Sequence, residues 1–343
     1  MHTSNLKSND NRNLYFDFLR GIAILLVIGI HTYSHVNFNS MVNVFKIIIR
    51  NIMNCAVPIF LAISGYFLGK KQIDSNKSYY FSITKQIIRI YFPMILWSIP
   101  LLVLYLYNKN SILKSIIMLI IGYYSIYYYI SLQIQLYLIF PLLSKFKSKL
   151  LLWSSLFITV FALLTIMYLT KIKKHQITLY IYAAPFFTWL IFFSLGIYFA
   201  RNKRNYSISK YLFLSIVTLA FSVFENYYWY TKNIPSFGIK LSSMFFSISV
   251  LFFLFSVQME KIFSLNRLTR AIVFYGRNSF FIYLTHCYII KFLNKLLFLN
   301  SWFIRTVCII TLCALFTIIM NKIIPNNFKT IIGLKKQSIK VAR

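Results

Sequence analysis

Residues 16–36 read FDFLRGIAILLVIGIHTYSHV, and the ten residues that separate Arg20 from His31 carry no charge and are almost all aliphatic. About 20 predominantly apolar residues are what a helix needs to cross the hydrocarbon core of a bilayer. The segment therefore reads as a membrane-spanning helix. The residues before it are polar and no small-residue cleavage site follows it, so it has the character of a retained signal anchor.

The same pattern recurs along the chain; residues 241–257, for example, contain no charged side chain. Hydrophobic residues make up 59% of the 343 and charged residues only 12%, which leaves no stretch for a soluble domain. The expected fold is all-α: a single polytopic integral membrane domain over residues 1–343, with about ten transmembrane helices and both termini cytoplasmic. The expected spans are 16–36, 44–69, 89–107, 112–142, 150–170, 178–200, 211–230, 239–258, 271–296 and 302–324. A polar tail precedes them at 1–15 and a basic tail follows at 325–343. The fourth span is too long for a simple crossing, and Gly122 with the aromatic run at 123–129 marks its interruption.

A formal charge of +32 would suit a nucleic-acid binder. Here the basic residues sit in short clusters between apolar segments, so no nucleic acid is expected. With the amino terminus inside, 24 of the 37 Lys and Arg fall in cytoplasmic segments, twice the number in outer loops and outer helix ends, and Arg277 is left within a helix. This is the bias that cytoplasmic loops show. Cys55, Cys287, Cys308 and Cys313 lie in apolar segments without the paired spacing of a metal site, so they are expected to be packing residues and no metal is expected.

An ionisable side chain inside a span costs roughly 2.5–3.5 kcal/mol on insertion scales and is a functional candidate by default. The candidates are Arg20 and His31 in the first span, Glu225 in the seventh, Arg277 and His286 in the ninth, and His35 at the outer end of the first. Counted from the inner ends of their helices, His31, Glu225 and His286 reach one depth, roughly 21–23 Å up at about 1.5 Å per residue. If they meet, a carboxylate beside imidazole would orient or charge the ring, which suits a general base. Arg20 lies almost three turns below His31 on nearly the same helix face, with Asp17 spaced to pair with it at the helix entrance. Lys85 and Arg89, four residues apart before the third span, suit phosphate binding at the cytoplasmic mouth.

These segments together resemble the membrane-bound acyltransferase 3 family. FDFLRGIAILLVIGIHTYSH is similar to its signature of Arg, ten residues and His; VPIFLAISGYFLGKK (57–71) resembles its second-helix segment, and KQIIRIYFP (85–93) its third-helix entrance. YYYISLQIQLYLIFPLL (127–143) and YGRNSFFIYLTH (275–286) resemble its central aromatic and late segments, and Glu225 stands where many members carry glutamate. Gln86 and Ser125 stand where members often have Arg and His.

The resemblance implies an O-acyltransferase. It would move an acyl group, often acetyl, from a coenzyme A thioester on the cytoplasmic side to a hydroxyl of a cell-envelope glycan or its precursor, in a bacterial cytoplasmic membrane. By matched position His31 is the catalytic residue and Arg20 its partner, also near the donor, and Arg89 belongs to the pair that holds the donor's phosphates. The depth and spacing arguments add Glu225 and His286 as groups that would orient His31 or the acceptor, and Lys85 beside Arg89. Acyl-CoA is then a substrate and no cofactor is bound permanently. Membrane lipid and glycan-synthesis proteins are the further partners implied, and the form resembled lacks an appended extracellular domain. An exporter of surface polysaccharide or lipid-linked precursor is the alternative that buried polar residues in polytopic helices also suit.

The charge distribution yields a direct test of topology. Single cysteines placed at Asn76 and Asn205 should react only with reagent supplied from the cytoplasm, and one at Asn233 only from outside. Outside labelling at Asn205 would break the ten-span arrangement.

Overall fold

A computed structural model of the chain describes residues 2–33, 41–71, 75–107, 111–124, 126–234, 238, 240–296 and 301–335. His35 and Ser125 lie outside them. The described residues are helical throughout, with no strand: α1 (His2–Thr32), α2 (Met41–Ile52), α3 (Ala56–Gly69), α4 (Asn76–Tyr107), α5 (Ile112–Ile120), α6 (Tyr128–Ser144), α7 (Ser148–Met167), α8 (Leu179–Ala183), α9 (Leu190–Arg201), α10 (Ile208–Thr231), α11 (Leu241–Leu254), α12 (Val257–Ile262), α13 (Arg267–Arg277), α14 (Ser279–Leu296), α15 (Trp302–Ile323) and α16 (Asn326–Lys329).

Six helical stretches among these are long and apolar enough to cross a membrane: Leu14–Thr32, Asn43–Gly69, Lys77–Tyr107, Ser148–Ile172, Ile208–Thr231 and Trp302–Ile323. Four shorter apolar helices, Tyr128–Ser144, Leu190–Arg201, Leu241–Leu254 and Ser279–Leu293, overlap the other four expected spans.

Several boundaries differ from the sequence reading. α1 runs back to His2 through the expected polar tail, because no Gly or Pro interrupts residues 2–20 and polarity alone does not stop a helix. α4 begins at Asn76 rather than near 89 for the same reason, and Ser75 caps it, its Oγ accepting the Ser78 N–H at 3.2 Å. The fourth expected span is two helices, α5 and α6, with Gly122 between them at φ +70°, a conformation that costs glycine little. The sixth breaks around Pro185 into α8 and α9, and the ninth breaks at Asn278 into α13 and α14. Part of the expected basic tail packs back on the bundle: the Ile332 carbonyl accepts Trp97 Nε1–H at 3.1 Å, and Lys329 and Leu334 are buried.

α3 packs closely against α9. α3 carries Gly65 and Gly69, and α9 carries Gly196 and Ala200, small residues four apart that let two backbones approach. A Cβ on Gly65 would lie 2.1 Å from the Phe193 carbonyl oxygen, and one on Gly196 would lie 2.1 Å from that of Ala62. Rings close the core around this pair, with Phe199 stacked on Phe255 at 4.8 Å and Phe16 on Tyr66 at 4.7 Å. α1 lies across α3 and α13, so this packing fixes the helix that carries Arg20 and His31.

Replacing Gly65 with Leu should therefore lower stability by about 1–3 kcal/mol, since an overpacked interface must shift backbone. Thermal unfolding in detergent measures it, and an unchanged melting temperature would contradict the backbone contact.

Candidate active site

A cavity of about 390 Å³ opens along α1, lined from Arg20 through Val27 and Ile30 to His31. Eleven residues of helix separate the two polar side chains, about 16 Å of rise. The remaining wall is contributed by α2, α3, α4, α6, α7, α8, α9, α11 and α14 and the segments between them, with Tyr128, Tyr129, Tyr182 and Trp189 supplying aromatic faces.

At the first end Asp17 gathers cations. Its Oδ1 accepts from Arg20 Nη1 at 2.8 Å, Arg277 Nε lies 3.5 Å from Oδ2, and Lys335 Nζ lies 4.0 Å from Oδ1. Arg277 thus ends α13 with a half-exposed side chain rather than lying within a spanning helix, because the break at Asn278 places it at a terminus. The Arg20 guanidinium also sits 5.3 Å from the centre of the Phe67 ring. One carboxylate among three cations holds the head of α1 to α13 and to the chain's last described residue.

At the other end the His31 and His286 rings come together, 5.4 Å between centroids. His286 is fully buried, and its Nδ1 lies 2.9 Å from the Tyr283 carbonyl and 3.1 Å from that of Ile282. Carbonyls only accept, so the proton sits on Nδ1 and Nε2 remains an acceptor. Among the described residues the His31 ring nitrogens make no hydrogen bond to protein, and the ring faces the cavity.

Glu225 is not part of this pair. Its carboxylate accepts from Ser242 Oγ and from Trp229 Nε1 at 3.3 Å, and Lys171 Nζ lies 3.6 Å away, over the Trp229 ring. Equal depth does not fix the angle about the helix axis: Ser222 and Asn226 of α10 face Asn51 of α2, and Glu225, one residue back, is turned about 100° from Asn226. Lys85 and Arg89 are exposed on α4; the neighbouring Ile90 lines the cavity and they do not. Lys85 Nζ lies 4.5 Å from the centre of the Phe81 ring.

Sequence reasoning missed two cations on the cavity wall, Arg50 of α2 and Lys240 at the start of α11, both buried. The signal was present, since each adjoins a long apolar segment, yet both were absorbed into the tally of outer helix ends. Among the described residues no three His, Cys, Asp or Glu side chains gather as metal ligands.

Ionisable groups concentrated on one internal cavity, in a bundle with six helices apolar and long enough to cross a bilayer, define a multi-pass membrane protein with an enzyme-like site. An acyltransferase domain matches residues 13–322, from the first turns of the Arg20–His31 helix to the end of α15. The chain belongs to the acyltransferase 3 family and is an acyltransferase. No curated protein and no solved structure matches it.

The geometry makes Glu225 a structural ion-pair partner of Lys171. In a double-mutant cycle with Glu225→Gln and Lys171→Met, chemical or thermal unfolding should report a coupling of about 1–3 kcal/mol between the two. Additive effects would show that the pair is not the reason for the carboxylate.

Proposed function

We propose that the protein is a membrane O-acyltransferase that passes an acyl group, acetyl in the simplest case, from a coenzyme A thioester on the cytoplasmic side to a hydroxyl of an envelope glycan or its precursor. The observation that carries this reading is a single cavity with Arg20 at one end and an imidazole with no protein hydrogen-bond partner among the described residues at the other. A thioester donor has the same layout, with phosphates at one end of a long flexible arm and the reactive carbonyl at the other.

In this scheme the phosphates stay near water, held by Arg89 with Lys85, both exposed, and the arm enters past Arg20 towards His31. The acceptor hydroxyl gives its proton to His31 as its oxygen attacks the thioester carbonyl; the new C–O bond forms, the C–S bond breaks, and the thiolate takes the proton from the imidazolium. An acyl-histidine intermediate is the two-step variant of the same chemistry. His286 packs on the ring and fixes its plane. The aromatic walls support a sugar acceptor, because pyranose C–H faces pack on the faces of Tyr and Trp.

Transfer of labelled acetyl from acetyl coenzyme A in membranes carrying the protein tests this directly. His31→Ala should cut the rate by about 10² to 10⁴ with donor binding retained, and His286→Ala should cost less. Arg89→Ala should raise the donor KM more than Lys85→Ala, because a guanidinium fork grips phosphate where an ammonium cannot. An active His31→Ala protein would sink the mechanism.

A further inference from the structure

Two cations on the cavity wall have no part in the chemistry just proposed for His31. Arg50 is 9% exposed; its Nη1 donates to Asn54 Oδ1 at 2.7 Å, and its guanidinium lies 5.9 Å from the centre of the Tyr33 ring, two residues beyond His31. That uses one of five guanidinium N–H groups. No carboxylate of the described residues pairs with it. Lys240 is 6% exposed, and its Nζ donates to the Ser222 carbonyl and to Asn226 Oδ1, both at 2.6 Å.

A polar network holds Lys240 and reaches the residue next to Arg50. Asn51, adjacent to Arg50, accepts at its Oδ1 from Asn226 Nδ2 at 2.8 Å, and Asn226 in turn accepts from Lys240. Beside Arg50 on the same wall, Asn54 Nδ2 is buried without an acceptor. The acid of this region, Glu225, is engaged by Lys171 at 3.6 Å. Arg50 and Lys240 are thus left without a salt bridge among the described residues in an apolar bundle, where an uncompensated charge is expensive. Both Arg50 and Lys240 border the same cavity of about 390 Å³.

We propose that Arg50 and Lys240, with Asn54, form an oxyanion subsite in the His31 cavity, and that one of the two substrates carries a carboxylate or phosphate that binds there. The inference rests on the acyl-transfer reading and narrows its substrate class. The anion comes from one of two sources: a donor whose acyl group is the half-thioester of a dicarboxylic acid, or an acceptor that is an acidic sugar or a sugar phosphate. The oxyanion is held, not transformed, so bond making and breaking at His31 are unchanged.

The test uses the full chain in lipid nanodiscs and three probe pairs: succinyl against acetyl coenzyme A, methyl glucuronide against methyl glucoside, and N-acetylglucosamine 1-phosphate against N-acetylglucosamine. Binding is read by protection against thermal unfolding, and transfer by labelled donor. The expected result is a preference of about 10- to 100-fold for the charged member of one pair, and that pair names the source. The ratio should fall towards one in Arg50→Gln and Lys240→Gln and recover in part in Arg50→Lys. Should Arg50→Gln elute as unfolded protein, Lys240→Gln and Arg50→Lys carry the comparison. A preference that survives these variants, or none in any pair, overturns the subsite. Arg50-dependent binding of a charged probe without any acyl transfer would keep the subsite and defeat the transferase reading; transfer without charge preference would do the reverse.

Discussion

A charged side chain inside an apolar helix bundle has to be paired, hydrated or bound to a ligand, and this chain has far fewer acids than bases with which to pair it, five Asp and Glu against 37 Lys and Arg. That scarcity organises the polar interior. Three carboxylates are shared or committed: Asp17 serves Arg20, Arg277 and Lys335; Glu260 is taken by Arg204 at 2.7 Å; Glu225 is taken by Lys171. Of the buried cations with no salt bridge among the described residues, Arg50 and Lys240 lie on the cavity wall and Lys329 lies beyond α15. This separates the cations that a carboxylate holds from those that none does.

The backbone framework makes that separation hold its shape. α3 and α9 meet through small residues close enough for main chain to touch main chain, and α1 is laid against α3 by the Phe16, Tyr66, Phe255 and Phe199 rings. Aromatic side chains bury large area with few rotatable bonds, so they fix the position of α1 at little cost in entropy. An imidazole such as that of His31, on a rigid helix, is placed more exactly than one on a loop could be.

The Arg20–His31 relationship was legible in the sequence because both ends lie on one uninterrupted helix, where spacing alone decides the face. The interruption at Gly122 was legible too, since the span was too long and glycine adopts positive φ. Rotation about a helix axis was not legible: depth brought His286 to His31 correctly but suggested Glu225 as well, and only the packing of α10 against α2 decides that Asn226 rather than Glu225 faces inward. Arg50 and Lys240 went unrecognised because a cation near a helix end carries two meanings, topology marker and buried ligand, that composition cannot separate. The break between α13 and α14 has no Pro or Gly at Asn278 to announce it.

The cavity's length has an electrical consequence. Filled with water, a space that follows α1 for about 16 Å replaces roughly half of the ~30 Å insulating thickness of the bilayer at that point. The transmembrane potential then drops mainly across the remaining protein septum, where each elementary charge moved is worth about 2.3 kcal/mol per 100 mV. Were a substrate group to cross that septum, an uncharged one would do so without regard to voltage, whereas an anionic one would be driven or opposed by it.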